Sequence, residues 1–192
     1  MAASSLISYM TISYITIALL LLLLLIAVAT DIVSHRIPNE LIVTMLICGF
    51  VLNLWDHGFS GILHGLSGMV VALAVFLPFY ILRGMGAGDV KLAAAAGAFL
   101  GAYLTLIASG IALLAGSLMA IAVLFARSHR GFLSTLRRYG DAVKLVIFSR
   151  QFNYVPPTIS EVASQRFPYA PAIAVGFIFA LIWHSGVMGS SI

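Results

Sequence analysis

Apolar runs long enough to cross a membrane alternate with short polar breaks along the whole chain. A spanning helix needs about 20 apolar residues, each rising about 1.5 Å. That measure predicts spans over residues 8–30, 41–55, 61–82, 90–101, 103–126 and 170–189. Residues 90–126 read as one apolar stretch, broken only by Lys91 near its start. As a single helix it would measure roughly 55 Å, almost twice the hydrocarbon thickness, so it is expected to fold into two spans. The turn is placed at Gly101-Ala102-Tyr103, with Ser109-Gly110 as the alternative. The fourth span is then only about 18 Å long, and Asp89 at its start is expected to lie below the membrane surface.

The breaks carry their own signals. Pro38 suits the first turn of the second helix and Asn39 its cap. Ala93, Gly97 and Gly101 recur at four-residue spacing, as do Ala108, Ala112, Gly116 and Ala120, and such small faces let membrane helices pack closely. Residues 127–166 are the one long polar segment. Within it Phe132, Leu136, Tyr139, Val143, Val146 and Ile147 recur at helical spacing, with Arg137, Arg138, Asp141 and Lys144 on the other face. This predicts an amphipathic helix lying on anionic lipid. The expected fold is an all-α integral membrane protein in one domain, residues 1–192. It has six transmembrane helices and a cytoplasmic amphipathic helix between spans five and six.

Composition agrees with this pattern. Hydrophobic residues make up 62% and charged residues 8%, against about 25% charged in soluble domains. The mean hydropathy is +1.12. The single cysteine, Cys48, excludes a disulfide framework and a multi-cysteine metal site. The N-terminal apolar run lacks a preceding basic segment, since no Lys or Arg comes before Arg36, so it is read as a span and not as a cleaved signal.

The net charge of +4 does not imply nucleic acid, because the basic residues flank the spans. They report topology instead. With six spans all ten basic residues, from Arg36 to Arg166, fall in three loops on one side. Five spans would move the group after Arg127 opposite to Arg83 and Lys91. The positive-inside rule therefore favours six spans, with these loops cytoplasmic and both termini outside.

Two acids then share the cytoplasmic face, Asp31 and Asp89. A carboxylate inside a spanning segment is costly, which makes it a functional hypothesis by default. Asp89 ends the glycine-rich stretch Arg83-Gly84-Met85-Gly86-Ala87-Gly88-Asp89. Glycines there would let the chain turn sharply and a substrate backbone approach. Two carboxyls in a low-dielectric, wetted site share a proton: one takes a proton from water while the other polarises a carbonyl. That is aspartic peptide hydrolysis, and it requires neither metal nor cofactor.

Helix dipoles would place the charge on Asp89, at a helix start, and the proton on Asp31, at a helix end. Residue spacing alone leaves simpler roles open: Asp89 as a helix cap and Asp31 as an interfacial side chain. His35, His57, His64, His129 and His184 show no metal-binding spacing and read as separate interface residues.

The motifs add a resemblance. Gly86-Ala87-Gly88-Asp89 followed by Val90-Lys91-Leu92 resembles the Gly-x-Gly-Asp signature of type IV prepilin peptidases. Asp31 followed, after five residues, by Ile37-Pro38-Asn39 is similar to its other half. Pro168-Tyr169-Ala170-Pro171 resembles the start of the family's last span. The resemblance implies a bacterial inner-membrane aspartic endopeptidase with Asp31 and Asp89 as the catalytic pair. Gly86, Gly88, Lys91, Ile37, Pro38 and Asn39 would shape the site.

The implied substrates are prepilins, each a basic leader plus an apolar helix, cut after a glycine on the cytoplasmic side. Anionic lipids are the other implied partner. Larger members carry a four-cysteine zinc module and N-methylate the new terminus. Here only about ten polar residues separate the first two spans, so a peptidase without methyltransferase activity is expected, similar to those of Flp-type, tight-adherence pilus systems. Lys91 is expected to pair with an acid of the substrate, to stabilise the ionised pair, or simply to snorkel. Archaeal preflagellin peptidases share the same logic. A small transporter or channel subunit using Asp31 and Asp89 for ion passage is the reading from a different class.

Overall fold

The computed structural model describes residues 14–82, 84–127 and 168–189. They form five helices and no strand: α1 (Tyr14–Ser34), α2 (Asn39–His57), α3 (Phe59–Ile81), α4 (Ala87–Arg127) and α5 (Ala170–Gly189). α1 to α4 are long and apolar enough to cross a membrane, and α5 contributes a shorter apolar helix, Ala170–His184. The expected amphipathic helix, and residues 128–166 of the polar segment, lie outside the described residues. Contacts divide the chain into residues 1–116 with 168–192, and residues 117–167. The description below concerns the first unit.

The outer faces are apolar, as in Leu25, Ile47, Val51, Leu63 and Val70. A soluble protein does not expose such a continuous apolar surface, whereas lipid accepts it. The interior runs from Leu20, Leu24 and Ala27 of α1 through Met45 of α2 and Phe76 of α3 to Ile173 and Phe177 of α5.

At the centre lies the first arm of α4. Between Asp89 and Gly101 only Lys91 is exposed. A helix apolar on every side can be buried whole, and here protein surrounds it. Alanines and glycines make this possible by letting backbones touch. A side chain at Gly68 of α3 would strike the Gly97 carbonyl, and one at Gly65 would come within 2.9 Å of the Ala98 carbonyl.

α4 is not continuous. Gly101 has φ 71° and ψ 178°, outside the helical region. Across it, the Thr105 hydroxyl donates to the Gly97 carbonyl at 3.3 Å. Eight residues of straight helix rise about 12 Å, which puts the Gly97 carbonyl beyond the reach of the Thr105 side chain, so the chain folds back on itself at Gly101. The second arm returns alongside α5: a side chain at Gly176 would strike Ala108 and Ala112.

Several helix ends differ from those expected. α1 runs on to Ser34, so Asp31 lies in its last turn and not in a loop after it. The helix stops at His35, whose φ of 50° is left-handed. α4 starts at Ala87, so Gly88 and Asp89 belong to its first turn. Pro38, not Asn39, is the cap residue of α2, and it makes no side-chain cap bond. The Asn39 side chain is used elsewhere.

Candidate active site

Asp31 and Asp89 come from opposite ends of their helices, the last turn of α1 and the first turn of α4. The fold brings both to one end of the bundle. They are 5% and 8% exposed, and their charges lie near enough to act on one another. Burial of two carboxyls together is costly unless hydrogen bonds or a shared proton offset it.

Each carboxyl has a backbone donor. Asp89 Oδ2 accepts the N–H of Gly86 at 3.2 Å. Asp89 is the third helical residue, so this is the reach-back half of a capping box. Asp31 Oδ2 accepts the N–H of Ala170, the first residue of α5, at 3.1 Å. Asp31 thus ends one helix and faces the start of another. The dipole argument that would set Asp31 apart from Asp89 therefore does not hold, because both carboxylates meet a helix N-terminus.

The two sequence motifs meet beside the pair. A Cβ on Gly88 would lie 3.7 Å from Ile37, in ordinary contact. Lys91 Nζ donates to Asn39 Oδ1 at 3.3 Å. Pro38, with φ −59°, sets the start of α2 between them. Neither Gly86 nor Gly88 has positive φ; among the described glycines that conformation belongs to Gly58 and Gly101. The backbone turn expected of these two glycines is absent because Gly88 is helical and Gly86 precedes the first turn. A Cβ on Gly86 would press to 3.0 Å from Asp89 Oδ2.

The Ala170 backbone and Tyr169 complete this end. Residue patterns did not single out either of them as site groups. A backbone N–H has no residue-type signature, although the prolines on either side mark a helix start. The Tyr169 hydroxyl donates to the Ala112 carbonyl at 3.2 Å. Burial, and then the charge of Asp89, push that hydroxyl up to about 12.

Three of the histidines, His57, His64 and His184, share one cavity. With Asp56, Asn53 and Thr16 they line this cavity of about 160 Å³ beside the Gly101 turn, and His64 Nδ1 lies 3.2 Å from Asn53 Oδ1. No group of three or more His, Cys, Asp or Glu among the described residues is arranged to hold a metal ion. His129 lies outside the described residues.

Nothing matches the chain among curated proteins or solved structures. The sequence pattern of the type IV leader peptidase family matches residues 18–123, a stretch that contains Asp31, Ile37-Pro38-Asn39 and Gly86 to Lys91. The match covers more than half of the 192 residues, and the chain belongs to that family.

Proposed function

We propose that this chain is an aspartic endopeptidase that removes the leader of prepilins by cutting after a glycine, with Asp31 and Asp89 as its acid and base. The observation that carries the reading is the burial of these two carboxyls together, from helices distant in sequence. One carboxylate takes a proton from water, and the water oxygen bonds to the scissile carbonyl carbon. The other carboxyl gives its proton to the carbonyl oxygen. Collapse of the tetrahedral species then breaks the C–N bond: the leaving amine receives the proton held by the base, and a hydroxyl proton of the tetrahedral species returns to the carboxylate that acted as acid. Gly86 and Gly88 keep side chains away from the approach to Asp89. Ile37, Pro38, Asn39 and Lys91 brace the loop beside it.

The reversal at Gly101 supports the six-span count, since it divides residues 87–127 into two arms. With that count the basic loops and both aspartates share the cytoplasmic side of a bacterial inner membrane. The short link between α1 and α2 leaves no room for a zinc module, which supports a peptidase without methyltransferase activity, of the small tight-adherence type. The substrate's apolar helix and its basic leader would bring it to the same anionic leaflet as the enzyme.

The test is co-expression with a prepilin, reading leader removal by size. Asp31→Asn and Asp89→Asn should each lower cleavage on the order of 10³-fold or more, with the protein still inserted and monodisperse in detergent. Normal processing by either variant rules the mechanism out.

A further inference from the structure

We infer that the first turn of α5 is a positioning element for the pair: Tyr169 pins this turn to the second arm of α4, and the Ala170 N–H in turn holds Asp31 toward Asp89. The inference rests on the aspartic reading above.

Three observations carry it. First, the opening N–H groups of a helix have no partners within it. In α5 the Ala172 and Ile173 N–H groups turn back to the Tyr169 carbonyl, at 3.0 and 3.2 Å. The Ala170 N–H is left to point outward, and it meets Asp31 in a buried setting. Second, the turn is fixed from behind. The Tyr169 hydroxyl bonds the Ala112 carbonyl, and its ring occupies the place a side chain on Gly116 would need. Third, Asp89 and Ala112 belong to the two arms of one helix folded at Gly101.

Asp31 is thereby referenced to Asp89 through α5 as well as through α1. A carboxyl in the last turn of a helix has rotamers that lead away from the pair. A hydrogen bond from a fixed N–H selects one of them. The same geometry would arise if Asp31 served only to cap α5, so the test must separate chemistry from folding.

Ala170→Pro removes the donor with little backbone disturbance, because proline is well tolerated at the first helical position. Ala170→Gly keeps the donor and serves as the conservative variant. Tyr169→Phe keeps the ring and removes the bond to Ala112. Each is purified full length and assayed on a prepilin with its apolar helix, with kcat and KM measured separately. Orientation of Asp31 matters to the chemical step and not to substrate binding.

Ala170→Pro should lower kcat by about 10-fold or more with KM unchanged. Ala170→Gly should keep most of the wild-type kcat, and Tyr169→Phe should lower kcat by a smaller factor. Wild-type kcat in Ala170→Pro overturns the inference. So does an effect confined to KM, or a loss in Ala170→Gly equal to that in Ala170→Pro. If Ala170→Pro does not yield monodisperse protein, Tyr169→Phe decides, and wild-type kcat there overturns the inference. Asp31→Asn run in parallel separates the two levels. Its full activity removes the aspartic reading itself, whereas its inactivity beside an unaffected Ala170→Pro removes only the positioning element.

Discussion

Lys91 Nζ donates a hydrogen bond to Asn39 Oδ1 at 3.3 Å, joining residues 52 positions apart. The bond ties the second turn of α4 to the first turn of α2, so the loop after α1 and the loop before α4 are held as one unit. This bond to Asn39 is not among the roles expected for Lys91 from the sequence. The pair is solvent-exposed, and its effect on global stability should be under about 1 kcal/mol. Its effect on cleavage should be non-additive. Lys91→Ala and Asn39→Ala should each slow processing, and the double variant should be no slower than the slower single. Multiplying losses in the double-mutant cycle would show that the two side chains act separately.

The glycines near Asp89 should respond differently from each other. A methyl at Gly86 would crowd Asp89 Oδ2 and disturb the N–H that holds it. A methyl at Gly88 meets only Ile37, at ordinary distance. Gly88→Ala should therefore fold normally and even gain about 0.5 kcal/mol from helix propensity. Gly86→Ala should lower kcat by at least about tenfold, the loss expected when a charge-assisted hydrogen bond is disturbed. Detergent unfolding temperatures and cleavage rates for the two variants check this ordering, and equal behaviour would contradict it.

Gly58 and Gly101 both require a left-handed backbone, with φ of 63° and 71°. They differ in surroundings. Nothing lies within 4 Å of a Cβ on Gly58, whereas one on Gly101 would strike the His64 ring. Gly58→Ala should cost about 1 kcal/mol from conformation alone. Gly101→Ala carries the same cost plus the clash, and should lower the unfolding midpoint distinctly more. A smaller loss at Gly101 would mean that His64 moves aside freely.

Sidedness can be read by cysteine labelling in a background where Cys48 is replaced. Ser34→Cys and Ala87→Cys should react from the same side of the membrane, and Gly58→Cys from the other. Labelling of Ser34 and Ala87 from opposite sides would break the shared-face argument for Asp31 and Asp89.

Much of this arrangement was readable from residue types. Asp31 and Asp89 stand out because acids are rare within apolar runs, and the positive-inside rule puts them on one face. Helix boundaries were harder. A single carboxylate does not end a helix whose other side chains are apolar, so α1 passes through Asp31. Glycine near a helix start costs little, so α4 begins at Ala87, before Gly88. The hold of Ala170 on Asp31 left no trace in composition because its donor is a backbone group. The gathering of His57, His64 and His184 was hidden for another reason. They come from three helices, and contacts between helices have no fixed sequence spacing.

The enclosed first arm of α4 also limits how the chain can change in length. Asp89 is positioned by counting residues back from the reversal at Gly101, through a segment packed on all sides. One residue inserted between them would turn Asp89 by about 100° around the helix axis and move it about 1.5 Å along it. It would then point away from Asp31. This stretch should therefore accept substitutions among small residues far more readily than any insertion or deletion, with its register set at Gly101 rather than at the carboxylate it positions.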